Sequence, residues 1–416
     1  MLFDQDPQAH VPSSSPGGAG TCRTWNHPEA DVAVIGAGLA GSLTALSLSR
    51  RGCSVTLIDL HAEPQVEFRA EQLVGPQMSR LAALGVLDAM LDGSAANRST
   101  VNGRRGQVLD RSTVDQFGLP YHRMVSAVRA AMPPTVRVVT APVANIDTSL
   151  DRQTICFKDG SRLEARLVVL ATGLSTALPK RMGIGFRTIS AAHSMAFGFD
   201  VALERPQKQL MPLVYYADDI GKQLDYLALF DMEGTIRANL FGYQDKQSGW
   251  IKDFCANPTN ELRAALPKLG DLLGPYRVTS AVQLRSNDLR VACEPARAGV
   301  VLVGDAFQTP CPAAGTGIDR LLSDVMTLSR HAPSWLASPG MSADKIAAYY
   351  ADPDKLSVDA ECLRIADYRR AVSTEPGVAW AFHRKQVLVR RRLRAAWASL
   401  SSAKMAANAL AVASLS

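Results

Sequence analysis

Three glycines and one acid form the first chemically readable pattern in this 416-residue chain. In "DVAVIGAGLAGSLTALSLSRRGCSVTLIDL", Asp31 to Leu60, the residues Gly36, Gly38 and Gly41 follow a short apolar run, and Asp59 closes a second one. Gly36 permits a tight turn, Gly38 lets the backbone approach a pyrophosphate, and Gly41 lets a helix lie close to a strand. Amides at the start of that helix then face an anion. Asp59 stands where a carboxylate would hold ribose hydroxyls, so the pattern points to a bound dinucleotide. A second cluster, "GDAFQTPCPAAGTGIDRLLSDV" from 304 to 325, sets an acid, a proline-rich turn and two glycines before an amphipathic helix. No paired catalytic acids, nucleophile triad or metal-like cluster emerges.

These residues need particular elements to position them. Val32–Ile35 and Val55–Ile58 read as buried parallel strands, with Leu43, Leu46 and Leu48 marking the helix between them. "EFRAEQLVGPQMSRLAALGVLDAML" places Arg69 ahead of a helix from about Pro76, with Met78, Leu81, Leu84 and Leu87 at core spacing. Further on, "VRVVTAPVANIDTSLDRQTICFKDGSRLEARLVVLATG" contains Val143, a hairpin turn at Asp159 and Gly160, and a buried strand from Leu167 to Leu170. From about Phe186 to Ala292 the alternation is that of antiparallel strands.

In combination these motifs resemble the FAD-dependent aromatic hydroxylase-like family, the group A flavoprotein monooxygenases and their relatives. The resemblance covers roughly Asp31 to Ser329. It implies an α/β fold: a Rossmann-like FAD-binding domain interleaved with an antiparallel-sheet substrate domain, plus C-terminal helices. The corresponding division is a disordered tail over 1–29, FAD-binding parts at 30–185 and 293–330, a substrate-binding sheet domain at 186–292, and a helical region at 331–416. By position in the family's motifs, Arg69 and Arg123 in "YHRMVSAVRAAM" are implied cofactor contacts, as are Val143, Thr172 and Gly173. In the second motif Gly304 and Asp305 match, with Asp305 holding a ribityl hydroxyl. Pro312 shapes the wall beside the isoalloxazine, and Gly317 matches the glycine at the helix start. Amides around Ile318 and Asp319 would face the flavin pyrimidine edge, where reduced flavin carries negative charge.

The chain departs from the family pattern in informative places. Ala171, Thr172 and Gly173 replace Ala-Asp-Gly, which weakens direct nicotinamide binding and leaves two routes for reduction, NAD(P)H itself or a separate flavin reductase. Gln308 stands for a histidine and cannot change charge near neutral pH. Cys311 stands for a proline and reads as a small apolar filler. Asp319 stands for an asparagine, and its charge would oppose a reduced-flavin anion unless turned away.

The activity implied is an FAD-dependent monooxygenase that passes one oxygen atom from O2 to an organic substrate, with an aromatic one as a candidate, through a flavin peroxide. A reductase or dehydrogenase on the same fold, and an FAD-stabilised partner-binding protein without turnover, are the alternatives. A halogenase is disfavoured, since no lysine precedes Lys158 and no two tryptophans are separated by one residue. Tyr215, Tyr216, Tyr226, Phe230 and Phe241 are candidate pocket residues, while His193 reads as a satisfied core histidine.

Composition agrees with a globular enzyme: 47% hydrophobic and 20% charged residues, with no apolar run of transmembrane length and no secretory signal. Seven unpatterned cysteines fit a reducing cytoplasm. The net charge is +6, but Arg384 to Lys404 holds seven basic residues and no acid. The remainder is one unit negative, which argues against nucleic-acid binding. "AWAFHRKQVLVRRRLRAAWASL" reads as a basic amphipathic helix with Phe382, Val389, Leu393, Trp397 and Leu400 near one face. Docking onto the FAD-binding part is expected, with an acidic partner or a membrane surface as the alternative.

Overall fold

The computed structural model describes residues 30–413 apart from 93–94, 98, 113–115, 206–209 and 233. The N-terminal tail expected over 1–29 lies outside them. Two sheets dominate. The first has seven strands, and its parallel heart consists of Ala30–Ile35 between Val55–Asp59 and Arg162–Leu170. Arg137–Thr140 extends it beyond Val55–Asp59, and Val300–Leu302 pairs parallel with Arg162–Leu170. This last strand returns from far along the chain, and it delivers the second motif to the edge of the first. The parallel strands are buried on both faces, which is why they read as apolar runs: Leu167, Val168, Val169 and Leu170 are fully buried. The hairpin expected at Asp159 and Gly160 is present, with Gly160 at φ 85° and Asp159 accepting from the Ser161 amide.

Leu39–Ser49 forms the helix after the glycine turn. Its Leu39, Leu43 and Leu46 pack against the helices Tyr121–Ala130 and Gly317–Leu336.

The second sheet has eight strands. Its spine is the long strand Phe186–Leu203, flanked by Gln283–Ala292 and Thr235–Gly242, with Leu224–Met232 and Leu213–Tyr216 beyond. The segment Thr100–Ser112, expected within the first FAD-binding part, hydrogen bonds into this sheet beside Leu213–Tyr216. A small three-stranded sheet, built around Ala70–Val74 and Gln116–Pro120, connects the two layers. One face of the second sheet closes its own core with Phe197, Phe199, Tyr215 and Phe254. The other face turns toward the glycine motifs.

Contrary to expectation, the basic C-terminal helix, Val378–Ala413, does not dock on the FAD-binding part with its arginines solvated; its arginines hold it to the second sheet and to the helix Pro353–Thr374. Arg391 pairs with Asp110 at 3.3 Å and donates to the Tyr216 hydroxyl, while Arg384 donates to the Val372 and Glu375 carbonyls. His383 meets the Tyr368 hydroxyl at 3.0 Å. These polar anchors leave Phe382, Val389 and Leu393 exposed, along with Val378. The rim that receives the helix offers a carboxylate, hydroxyls and carbonyls, so charge decided the docking face. Trp397 and Leu400 lie outside the described side chains.

Candidate functional site

The glycine turn is built by its neighbours. Gly36 has φ 101°, and a Cβ there would lie 2.4 Å from the Ala171 carbonyl oxygen. A Cβ on Gly41 would lie 1.8 Å from the Gly36 oxygen, so the helix sits directly on the turn. Gly38 differs: the nearest atom to an added Cβ is the Tyr121 hydroxyl at 3.5 Å, and the residue borders open space. It precedes an eleven-residue helix that has neither a side-chain cap nor an acid in its first turn. The Leu39 amide donates to the Tyr121 hydroxyl at 3.3 Å, and the helix start faces a cavity of about 680 Å³, a size suited to a bound organic molecule.

Gly36, Gly38, Asp59, Arg69, Val143, Thr172, Gly173, Asp305, Pro312, Gly317 and Ile318 all border this cavity. Asp59 accepts from the amides of Ala37 and His61, which orient its carboxylate at the strand end. Arg69 stacks over the Tyr121 ring at 4.0 Å, and its Nε donates to Glu67 at 2.7 Å. Thr172 donates to the Ser175 carbonyl at 3.1 Å. Gly317–Leu336 also begins without a side-chain cap, and its first residues Gly317 and Ile318 border the cavity.

Four expected contacts lie elsewhere. Gly41 and Gly304 do not border the cavity; each serves the backbone that shapes it. Gly304 has φ 63° and donates its amide to Asp324 at 2.7 Å. Asp319 turns away: its carboxylate accepts from Gln77 at 2.8 Å and faces Arg80 at 3.5 Å. Its charge is thus removed from the cavity by two donors on the Gly75–Ala83 helix. Arg123 is exposed and borders a separate shallow depression with Met90 and Asp92. The arginine of its helix that reaches the cavity is Arg129, which donates to the Ala37 carbonyl at 2.8 Å and the Ala62 carbonyl at 2.6 Å. Tyr121, Val125 and Arg129 recur at every fourth position and share the cavity face. That spacing was readable in the sequence, but which face of the helix meets the cavity was set only by packing.

Other residues were missed for want of a local signal. Glu71 borders the cavity, and burial pushes its carboxyl up against the opposing pull of Arg69, with Asp305 and Glu67 adding to the rise. Arg285, Asn287, Asn239 and Phe241 reach the cavity from the second sheet. Of the aromatics considered, Phe241 lines the wall. Tyr226 stands behind it, ring centroids 4.9 Å apart, and donates to the Ala313 carbonyl at 3.2 Å. Tyr215 points into the opposite core, as strand alternation requires. His193 is 1% exposed, its Nδ1 3.1 Å from the Ser190 hydroxyl, away from the cavity. Cys311 is on the wall but almost fully buried, and burial pushes its thiol up, which keeps it an unreactive filler. Gln308 is buried and does not reach the cavity.

Residues 29–332 match a family model described as "FAD binding domain". The chain belongs to this FAD-binding family. FAD is its cofactor, and the site fits the group. The uncapped helix start by Gly38 suits the pyrophosphate, and the carboxylates of Asp59 and Asp305 suit sugar and ribityl hydroxyls. The second uncapped helix start suits the electron-rich edge of the flavin. This FAD-binding chain is 26% identical over 331 residues to ubiquinone hydroxylase UbiL of Rhodospirillum rubrum, covering 72% of this chain and 71% of that one. It is 24% identical over 343 residues to kynurenine 3-monooxygenase of Salinispora arenicola, covering 71% of each. The solved structure of p-nitrophenol 4-monooxygenase PnpA from Pseudomonas putida DLL-E4 shares its fold, with a TM-score of 0.70 and 18% identity over 88% of this chain and 94% of that one. No helix among the described residues is long and apolar enough to cross a membrane.

Proposed function

We propose that this FAD-dependent monooxygenase transfers one oxygen atom from O2 to an aromatic substrate enclosed between the flavin site and the second sheet. The carrying observation is the cavity itself: one continuous space joins the glycine turn and Asp305 to a roof of Ala196, Asn239 and Phe241. Bound FAD, once reduced, supplies the activation of oxygen. The chain binds and orients the ring, and its sheet excludes water. Two relatives named for hydroxylation and mono-oxygenation support this reading. The test is turnover of the FAD-loaded, reduced protein with isotope-labelled oxygen and a panel of phenols and anilines. Label in a product is expected; reoxidation without labelled product from any member overturns the proposal.

Thr172 supports reduction through a separate flavin reductase. A hydroxyl paired to Ser175 stands where the resembled family carries an acid. NADH or NADPH alone should then fail to bleach the bound flavin, and rapid bleaching by either overturns this.

The exposed apolar stripe Val378, Phe382, Val389 and Leu393, flanked by Lys385, Arg390, Arg392 and Arg394, supports contact with an anionic surface. Deleting residues after Glu375 should abolish sedimentation with phosphatidylserine-containing vesicles and leave FAD bound, since every residue bordering the cavity precedes the cut.

A further inference from the structure

One wall of the cavity is a single stretch of chain, residues 60–69, between the strands Val55–Asp59 and Ala70–Val74. His61, Glu63, Pro64, Gln65, Glu67 and Phe68 border the cavity from it. His61, Glu63, Gln65 and Val66 are also exposed to solvent, so this wall is one chain thick. Its first end is held by Arg129, which donates to the Ala62 carbonyl at 2.6 Å. Among the described residues, no hydrogen bond or ion pair holds residues 63–66. The second end is clamped to the second sheet. Arg237 donates to the Phe68 carbonyl at 3.1 Å, and Asn239 donates to the Ala70 carbonyl at 3.0 Å. The Phe68 side chain covers Gly198 on the long strand Phe186–Leu203. A Cβ at Gly198 would lie 2.7 Å from the Phe68 Cγ, so glycine makes the notch that receives the ring. Next to it, Glu67 faces Arg285 at 3.5 Å, both side chains partly exposed.

A second stretch that is exposed and borders the cavity, residues 174–181, is built more firmly. It contains the helix Ala177–Arg181; Arg290 donates to the Leu174 carbonyl and Arg181 to the Ala144 carbonyl. A stretch that is free in its middle and held only at its ends opens at lower cost than one with its own ladder. We propose that residues 62–69 form a strap that swings off the second sheet to admit and release FAD, with Phe68 in the Gly198 notch as its latch. Opening it bares the cavity along its length, from Asp59 to Arg69, as an elongated dinucleotide requires. The latch consists of one ring contact, two hydrogen bonds and an ion pair that water and salt screen, few enough to break together. The inference rests on the cavity's being the FAD site and not on oxygen transfer, so a negative labelled-oxygen result leaves it standing.

The experiment measures FAD release from the full-length holoprotein, read as the return of flavin fluorescence on dilution. Association is read after mixing FAD with the stripped full-length chain. Phe68→Cys combined with Gly198→Cys should cross-link on oxidation with diamide. A Cβ at Gly198 would lie 2.9 Å from the Phe68 Cβ, within about an ångström of disulfide spacing. The oxidised pair should slow release and association by about tenfold or more, and dithiothreitol should restore both in the same sample. Each single cysteine variant should be unaffected by diamide. Gly198→Ala changes a residue that does not border the cavity and displaces the ring. It should speed release and association together by about tenfold, with Kd held within about threefold. A pair that does not cross-link, unchanged rates in the oxidised pair, or slowing in a single variant overturns the inference. So does a Gly198→Ala variant whose affinity falls through faster release alone, which would make the notch part of the binding surface rather than a latch.

Discussion

Arg123 and Arg129 lie on one helix, yet their faces give them different fates. Arg129 ties the Ala37 and Ala62 carbonyls together and so braces the loop that carries Gly38. Arg129→Met should lower FAD affinity by about tenfold, in line with the loss of hydrogen bonds from a charged donor, while Arg123→Met should leave it unchanged; fluorescence titration of the apoprotein reads both. His193 allows a pH prediction. Burial, reinforced by Arg370, lowers its pKa from 6.5 to about 4. A depressed folded-state value means the neutral form is favoured in the native protein. The associated stability is complete above pH 6.5 and is lost as pH falls toward 4. His193→Gln should therefore show a shallower loss of stability than the wild type across that window, the difference reaching up to about 3 kcal/mol in urea unfolding. Parallel curves would refute it.

At the scale of elements, the glycine turn separates two demands that one motif meets together. Gly41 serves packing, since its added Cβ would meet the Gly36 oxygen at 1.8 Å, whereas Gly38 faces open cavity. Gly41→Val should destabilise the fold outright, by about 3 kcal/mol or more through overpacking. Gly38→Ala should keep its melting temperature within a few degrees but lose FAD affinity, because the methyl group intrudes where the pyrophosphate approaches. Thermal unfolding with and without FAD distinguishes the two. This unit was legible in the sequence because strand, turn, helix and acid follow within one short stretch and each is specified by its own residues. The roof was not. A one-residue shift in register moves every side chain of a strand to the other face, and nothing local chose between Tyr215 and Phe241 as the cavity residue.

For the whole molecule, the unanticipated feature is a buried charge network that binds the second motif to the C-terminal region. Arg320 is fully buried with Asp305, Asp324 and Asp359 at 3.6, 3.6 and 3.8 Å. Lys355, from the helix Pro353–Thr374, pairs with Asp324 at 2.5 Å and Asp359 at 2.9 Å. Asp324 also receives the Gly304 amide, so this network holds the turn that presents Asp305. Lys355→Met should cost about 3–5 kcal/mol of stability by leaving buried carboxylates under-compensated. FAD affinity should fall with it, and denaturant unfolding together with cofactor titration checks both. The sequence by itself determined the cofactor frame, because phosphate-binding turns are written in contiguous residues whose conformations are local. Tertiary structure alone decided that Asp319 faces Gln77 rather than the flavin site and that Arg129 rather than Arg123 reaches the cavity. It also set Asn239 and Phe241 on the cavity roof. Those outcomes depend on which faces meet across hundreds of residues, and only the packed chain brings them together.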